Sequence, residues 1–272
     1  MRDWIPRCEG AAWPRPMPPE IYDQIGDRYS RTRAADSRIV DGLVEALRVS
    51  PPAKLLDVGG GTGNYAMALA ERGFPITVVE PSAIMREQAR PDPSIAWVAA
   101  RAEELPLENA SHAGAIIVLA AHHFTDVGKA LAEVGRVCGD GPVVLFTFDP
   151  ERAPGFWLFH YFPSFLTQVR EVFPTLATLQ KLSPRPMAVR RFPLPRDLED
   201  GFAAAGWCRP EAYLDEVFRN GISSFRLGNQ EEVAAGLEAL RRDLASGEWD
   251  RRFGGFRKEP EYDAGYVFVS FR

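Results

Sequence analysis

The feature that most constrains the fold is an alternation of short apolar runs with helical patterns over residues 54–149. The segments read, in chain order, KLLDV, NYAMALAERG, ITVVE, SAIMREQAR, IAWVA, GAIIVLA, VGKALAEVGRVC and PVVLFTF. The strand-like runs are apolar on both faces, which is typical of parallel strands covered by helices on two sides. The pattern therefore predicts an α/β fold with a doubly wound open sheet.

The chain is expected to have four parts. Residues 1–50 combine a proline-rich arm, WPRPMPP, with apolar positions at three- and four-residue spacing, which predict a cap of two amphipathic helices. Residues 51–150 form the core. Residues 151–195 open with six aromatic residues in PGFWLFHYFPSFL, which either line a ligand pocket or pack as core or as a dimer contact. Residues 196–272 complete the fold. A helix is predicted over residues 194–207, with Gly206 at its end, and a last strand is predicted in YDAGYVFVSFR.

Composition excludes several classes of protein. The 272 residues are 46% hydrophobic and 25% charged, as in ordinary globular proteins, and the net charge of −5 gives no overall attraction for nucleic acid. Cys8, Cys138 and Cys208 lack the spacing of a zinc site or a disulfide framework, so no metal is expected. No membrane span or secretory signal is evident, and we expect a cytoplasmic monomer or homodimer without a membrane partner.

The glycine-rich stretch DVGGGTG follows the first apolar run, where a strand passes into a helix. Gly59, Gly61 and Gly63 allow a tight turn with positive φ and a close approach of a ligand to the backbone. Asp57, at the end of the strand, indicates a cationic group nearby. The stretch fits DxGxGxG and lacks the third glycine of the dinucleotide fingerprint GxGxxG, which favours an adenosine joined to an amino acid over a pyrophosphate.

Further residues follow the later strands. Glu80 ends ITVVE, 23 residues after Asp57, where a carboxylate accepts hydrogen bonds from ribose hydroxyls. The alternative for Glu80 is a solvated acid at a strand end. The loop RAEELPLENA offers side chains and amides to a purine edge, and LAAHHF ends the fourth strand at the same edge of the sheet.

Together these motifs resemble the class I S-adenosylmethionine-dependent methyltransferases, of the broad group that includes the ubiquinone/menaquinone methyltransferase-like enzymes. The resemblance covers about residues 20–150 and implies a Rossmann-like seven-stranded sheet, with S-adenosylmethionine as cofactor and S-adenosylhomocysteine as product. It implies that DVGGGTG holds the methionyl part, Glu80 the ribose, and the loop from Arg101 to Glu104 the adenine. The family's RVLxPGG is altered here to RVCGDGP, which concerns a turn.

The same resemblance nominates the residues that bind the cofactor. They are Tyr22, Tyr29, Arg33, Asp57, Gly59, Gly61, Gly63, Asn64, Glu80, Pro81, Arg101, Ala102, Glu103 and Leu119. The first three lie in IYDQIGDRYSRTR, which is similar to the family's cap. Tyr29 either lies over the sulfonium by cation–π attraction, as a catalytic residue, or packs within the cap.

Three histidines are candidates for contact with the acceptor. His122 and His123 end the fourth strand, where a neutral imidazole is able to accept a proton, although either also suits packing or a hydrogen bond to the cofactor. Asp126 either orients a histidine or caps the next helix. His160 lies in PGFWLFHYFPSFL, the aromatic segment, and either reaches a substrate or is a partly buried packing residue.

The predicted function is methyl transfer from S-adenosylmethionine to an O, N or C nucleophile of a small-molecule acceptor by in-line displacement. Two alternatives stay open. The first is a methyltransferase-like module that binds the cofactor without turnover. The second is an NAD-dependent oxidoreductase, which the missing fingerprint glycine disfavours.

Overall fold

The structure is a computed structural model that describes residues 33–153 and 155–272. The predicted arm, the first predicted helix of the cap, Cys8, Tyr22 and Tyr29 lie outside the described residues. Their predictions therefore stay predictions.

A seven-stranded sheet forms the centre of the molecule. The strands are β1 (Leu55–Val58), β2 (Ile76–Val79), β3 (Ile95–Val98), β4 (Gly114–Val118), β5 (Val143–Phe148), β6 (Met187–Arg191), β7 (Leu194–Pro195), β8 (Glu261–Tyr262) and β9 (Tyr266–Phe271). The sheet has the order β3-β2-β1-β4-β5-β9-β6, while β7 and β8 form a separate pair. Strands β1 to β5 are parallel, and β9 runs antiparallel to both β5 and β6. The predicted Rossmann-like α/β fold is confirmed.

Helices cover both faces of the sheet and extend the second half of the chain. The α-helices of the described residues are α1 (Ser37–Leu47), α2 (Asn64–Ala70), α3 (Ala83–Glu87), α4 (Val127–Cys138), α5 (Leu158–Tyr161), α6 (Pro163–Val172), α7 (Leu176–Leu182), α8 (Glu216–Asn220), α9 (Ser223–Leu227), α10 (Gln230–Ser246) and α11 (Glu248–Phe253). Asp126 caps α4, since its carboxylate accepts a hydrogen bond from the amide of Lys129 at 2.9 Å. Capping is therefore the role that the structure gives Asp126.

Helix α1 lies on the sheet. Ile39, Leu43 and Leu47 recur at helical spacing and are buried where α1 packs against β4, β5 and β9. This helix is the second of the two predicted for the cap, and it belongs to the layers of the core. A cap over the edge of the sheet stays a prediction for the residues that precede Arg33.

Two apolar clusters form the core, one on each face of the sheet. Neighbouring residues of β1 point to opposite faces, so Leu55 joins one cluster and Leu56 the other. The first cluster takes in the aromatic segment, where Trp157 is buried and its indole N–H donates to the carbonyl of Trp207 at 2.6 Å. The aromatic segment therefore packs as core, which is one of its two predicted roles.

The helix predicted over residues 194–207 is wrong. After β7 the chain makes successive turns through residue 208. Gly206 ends no helix there: a Cβ at this position would lie 2.7 Å from the ring of Tyr213, whose hydroxyl donates to the carbonyl of Ala203 at 2.7 Å. The Asp200–Gly201 pair is a turn signal that favours this path. The turns bury Asp200 completely, which a solvent-facing helix position would not do.

Cys138 and Cys208 are buried free thiols. Among the described residues, no three His, Cys, Asp or Glu side chains are grouped as a metal ion requires. Within the same residues, every helix is too short or too polar to cross a membrane.

Candidate active site

A cavity opens at the carboxyl ends of β1 to β4, where the strand order reverses between β1 and β4. Open α/β sheets bind ligands at such a switch point. With its opening to solvent, this first cavity encloses about 1040 Å³. The predicted cofactor residues that line it are Arg33, Asp57, Gly59, Gly61, Asn64, Glu80, Pro81, Arg101, Ala102, Glu103 and Leu119. The sheet thus brings together residues from five separate segments of the chain.

The glycine loop has the backbone that its sequence predicts, but the glycines serve packing as well as access. Gly59, Gly61 and Gly63 have φ of 73°, 58° and 80°. A Cβ at Gly59 would lie 2.7 Å from the Cβ of Ala120, and one at Gly63 would lie 2.9 Å from the ring of Trp97. Gly63 does not line the first cavity. Gly63 directly precedes α2, where its lack of a Cβ leaves room for the Trp97 ring, and its contact with the cofactor stays a prediction.

Asp57 is a buried carboxylate that faces the first cavity. Neither of its oxygens has a hydrogen-bond partner among the described residues. Burial, together with the charge of Glu80, raises the pKa of Asp57 to about 7. An unpartnered buried carboxylate is costly, so its position fits a ligand that brings a cationic group such as an α-ammonium.

Glu80 is held in place by backbone amides. Its carboxylate accepts from the amide of Gly61 at 3.0 Å and from the amide of Ser82 at 2.9 Å, and the residue is only 8% exposed. The alternative of a solvated acid at a strand end is therefore wrong. A carboxylate has about four acceptor positions, so two amides leave capacity for hydroxyl donors.

The loop after β3 is fixed in part by the carboxylate of Glu103. That carboxylate accepts from the amides of Thr125 and Asp126 at 2.5 and 3.1 Å and so braces the turn before α4. The guanidinium of Arg101 donates to the hydroxyl of Thr125. Glu103 and the buried Ala102 both line the first cavity, and their contact with a purine stays a prediction.

A buried ion pair joins distant parts of the chain beside the cavity. The Nε and Nη2 of Arg33 both donate to the carboxylate of Asp200, which also accepts from the hydroxyl of Tyr65 at 2.8 Å. The backbone carbonyl of Arg33 accepts from the amide group of Asn64 at 2.9 Å. Asp200 and Tyr65 line the first cavity, and neither is among the predicted site residues.

A second cavity adjoins the first and encloses about 820 Å³ with its opening to solvent. Arg33, Leu119 and His123 line both cavities. The remaining wall of the second cavity is mostly aromatic and aliphatic, and consists of His122, Phe148, Phe156, Leu158, Phe159, Phe165, Val169, Phe173, Phe202, Ala203, Ala204, Gly221, Ile222, Ser223, Ser224 and Tyr266. The aromatic segment therefore also lines a pocket, the other of its two predicted roles.

The two adjacent histidines face the second cavity. Their ring centroids lie 3.8 Å apart, and His122 stacks on Phe173 at 4.0 Å. Burial and the positive charge of Arg33 lower the pKa of His123 to about 3, and burial together with His123 lowers the pKa of His122 well below its usual value. Both imidazoles are therefore neutral at pH 7, as predicted, but they are weak bases, because an efficient base has a pKa near the working pH.

Leu119 separates the two cavities with an unusual backbone. Its φ is 48°, which is rare for a residue with a branched side chain, and its amide donates to the carbonyl of Phe146 at 2.8 Å. Strain of this kind costs roughly 1–3 kcal/mol and is concentrated at functional sites. It directs the chain from β4 into the turn that carries both histidines.

The ring of His160 packs against the rings of Tyr161 and Phe253 at the surface, which agrees with packing, one of its two predicted roles. It is exposed, lines neither of the two cavities, and contacts the guanidinium of Arg252 at 2.8 Å through Nε2. A role in reaching a substrate in the second cavity is therefore excluded by its position.

Comparison with known proteins agrees with this geometry. The family model described as a methyltransferase domain matches residues 56–146. A protein from Anabaena variabilis, assigned as a methyltransferase of an antibiotic biosynthesis pathway, has a solved structure that is 41% identical, covers 89% of this chain and 99% of its own, and superposes with a TM-score of 0.85.

Two curated relatives are more distant. A ubiquinone/menaquinone biosynthesis C-methyltransferase of Rubrivivax gelatinosus is 32% identical over 56% of this chain, and the match spans 62% of that enzyme's length. The match with the demethylmenaquinone methyltransferase of Thermus thermophilus covers 77% of this chain and the entire length of that enzyme, at 26% identity.

Proposed function

Since this chain belongs to the class I S-adenosylmethionine-dependent methyltransferases, we propose that it transfers a methyl group to a small aromatic acceptor bound in the second cavity. The acceptor presents an O, N or C nucleophile. One observation carries the proposal: a cavity with an unpartnered carboxylate meets an aromatic cavity at Leu119 and His123.

The residues of the first cavity suit the cofactor. Asp57 pairs with the ammonium of the methionyl part, which stabilises its carboxylate, and Glu80 accepts hydrogen bonds from the ribose. The backbone of the loop from Arg101 to Glu103 lies against the adenine. When bound, S-adenosylmethionine supplies an electrophilic methyl group. The carboxylate of Asp57, beside the glycine loop, would repel the pyrophosphate of NAD, which supports the methyltransferase over the oxidoreductase.

The residues of the second cavity position the acceptor. Aromatic rings such as Phe173 and Tyr266 exclude water and restrict the orientation of a flat ligand, and positioning of this kind contributes on the order of 7 to 11 kcal/mol to a displacement. His123 lines both cavities and so accepts a hydrogen bond from the acceptor beside the reacting atoms. An acceptor-sized cavity next to the cofactor cavity supports turnover rather than a module that only binds.

A turnover assay tests this proposal. Purified protein is incubated with S-adenosylmethionine and a panel of neutral phenolic and quinol acceptors, and S-adenosylhomocysteine is measured. Ala203 lines only the second cavity, so Ala203→Phe is the matched variant that fills the acceptor space. We expect turnover in the unmodified protein and its loss in Ala203→Phe at unchanged affinity for S-adenosylhomocysteine. Product formation that Ala203→Phe leaves intact would contradict the placement of the acceptor. A cytoplasmic location and a monomeric or homodimeric state stay predictions.

A further inference from the structure

The second cavity carries very little charge. Among the described residues of its wall, Arg33 is the one side chain with a formal charge. The polar remainder consists of two serines, one tyrosine and two histidines, and burial with the charge of Arg33 keeps both histidines neutral by lowering their pKa. Among these residues, a charged acceptor would therefore meet a single guanidinium and no carboxylate.

That guanidinium is compensated from outside the second cavity. Asp200 lines the first cavity and not the second, and its carboxylate takes two hydrogen bonds from Arg33. The side chains are 1% and 11% exposed, for Asp200 and Arg33 respectively, so water screens the pair weakly. The hydroxyl of Tyr65 donates to the same carboxylate and fixes its position.

We propose that Asp200 determines acceptor specificity: by compensating Arg33, it leaves the described wall of the second cavity without net charge, so that the cavity takes uncharged aromatic acceptors and rejects aromatic cations and carboxylates of similar size. This inference rests on the proposed function, because it assumes that the second cavity holds the acceptor. Burying an ionised group without an opposite charge is costly, and an aromatic carboxylate meets a guanidinium that Asp200 already neutralises.

Binding of three matched probes tests the inference without turnover. The protein is saturated with S-adenosylhomocysteine and titrated calorimetrically at pH 7 with 2-naphthol, 2-naphthoate and 2-naphthylmethylammonium, which share one ring system and differ in charge. We expect 2-naphthol to bind at least about tenfold more tightly than either ion. Ala203→Phe should abolish binding of 2-naphthol, which places the probe in the second cavity.

Two variants isolate the role of Asp200. Asp200→Asn removes the compensating charge and should strengthen binding of 2-naphthoate by about tenfold or more, with no gain for 2-naphthylmethylammonium. The double variant Arg33→Gln/Asp200→Asn removes both charges and should restore the preference for 2-naphthol. If Asp200→Asn alone does not fold, Arg33→Gln tests the pair from its other side: it removes the guanidinium that faces Asp200 and should strengthen binding of 2-naphthylmethylammonium by about tenfold, with no gain for 2-naphthoate, and an unchanged preference there would overturn the role of Asp200.

The outcomes separate this inference from the proposed function. Failure of the unmodified protein to bind S-adenosylhomocysteine would overturn both. Binding of S-adenosylhomocysteine, with probe preferences that are the same in the unmodified protein and both variants, would overturn the role of Asp200 and leave the proposed function standing. Equal binding of all three probes by the unmodified protein would also overturn it.

Discussion

The guanidinium of Arg33 and the carboxylate of Asp200 form a bidentate ion pair although 167 positions of the chain separate them. The pair lies where the two cavities meet, since Arg33 lines both. It joins the residues before α1 to the turns after β7, and the carbonyl of Arg33 extends the contact to Asn64 at the start of α2. Segments that are far apart in the sequence therefore meet at the site.

Breaking this pair should destabilise the protein. Asp200→Asn leaves the Arg33 charge partly buried, so we expect the free energy of unfolding to fall by about 3 kcal/mol in urea titrations. Asp197→Asn is the matched control, because Asp197 pairs with Arg38 but is 76% exposed, and it should lower the free energy of unfolding far less than Asp200→Asn does. Equal losses in the two variants would contradict a special role for the buried pair.

The carboxylate of Asp57 should lower the free energy of unfolding and increase the affinity for the cofactor. Its pKa of about 7 lies above the value in the unfolded chain, so stability falls as pH rises from about 4 through 7. Asp57→Asn should therefore raise the free energy of unfolding by more than about 1 kcal/mol at pH 8, and by clearly less at pH 5. The same variant should bind S-adenosylhomocysteine at least about tenfold more weakly. A variant that loses stability at pH 8 would disprove the unpaired carboxylate.

Binding of S-adenosylhomocysteine should depend on pH through the same residue. The ligand's ammonium favours the ionised carboxylate, so binding lowers the pKa of Asp57 from about 7 and releases its proton. We expect affinity to increase between pH 6 and pH 8, with proton release at pH 6 measured by calorimetry in two buffers of different ionisation enthalpy. Proton uptake at pH 6 would contradict this assignment, and Asp57→Asn should show no release.

Glu80 should contribute through its charge. Glu80→Gln places an amide group against the amides of Gly61 and Ser82 and removes a charged acceptor, so we expect affinity for S-adenosylhomocysteine to fall by roughly 2 to 3 kcal/mol. Glu104 is exposed and does not line the first cavity, and Glu104→Gln is the control that should leave affinity unchanged. Similar affinities in the two variants would remove Glu80 from the site.

The two histidines should differ in their effect on turnover. His123 lines both cavities whereas His122 lines only the second, so His123→Asn should lower kcat by about tenfold or more and His122→Asn by less. Affinity for S-adenosylhomocysteine should change little in both. Because its pKa is about 3, His123 stays neutral at pH 6, and kcat of the unmodified protein, measured at saturating S-adenosylmethionine, should show no titration near pH 6.5. Unchanged kcat in His123→Asn would remove the proposed contact with the acceptor.

Local patterns were sufficient to predict the core of the fold. The apolar runs that end at Val58, Val79 and Val118 each form a buried parallel strand, because burial on both faces selects β-branched and aliphatic residues. Glu80 directly follows the run that ends at Val79, so its location at the edge of the sheet follows from its position in the sequence. The residues that these strands carry into the first cavity were predictable from the sequence for the same reason.

Contacts between residues far apart in the sequence were not predictable in this way. Asp200 lies in RDLEDGF among other acids, and the alanines that follow favour a helix, whereas burial of Phe202 and Trp207 imposes turns. The Asp–Gly dipeptide was the available turn signal, but nothing local identifies Arg33 as its partner. The second cavity likewise draws its wall from β5, the aromatic segment, α9 and β9, which only the tertiary fold brings together.

A crystal structure with S-adenosylhomocysteine and 2-naphthol tests the central claim most directly. We expect the ammonium of S-adenosylhomocysteine within hydrogen-bond distance of Asp57, its ribose at Glu80, and its sulfur directed past Leu119 toward 2-naphthol in the aromatic cavity. A nucleoside bound elsewhere, or a sulfur that faces away from the second cavity, would contradict the account.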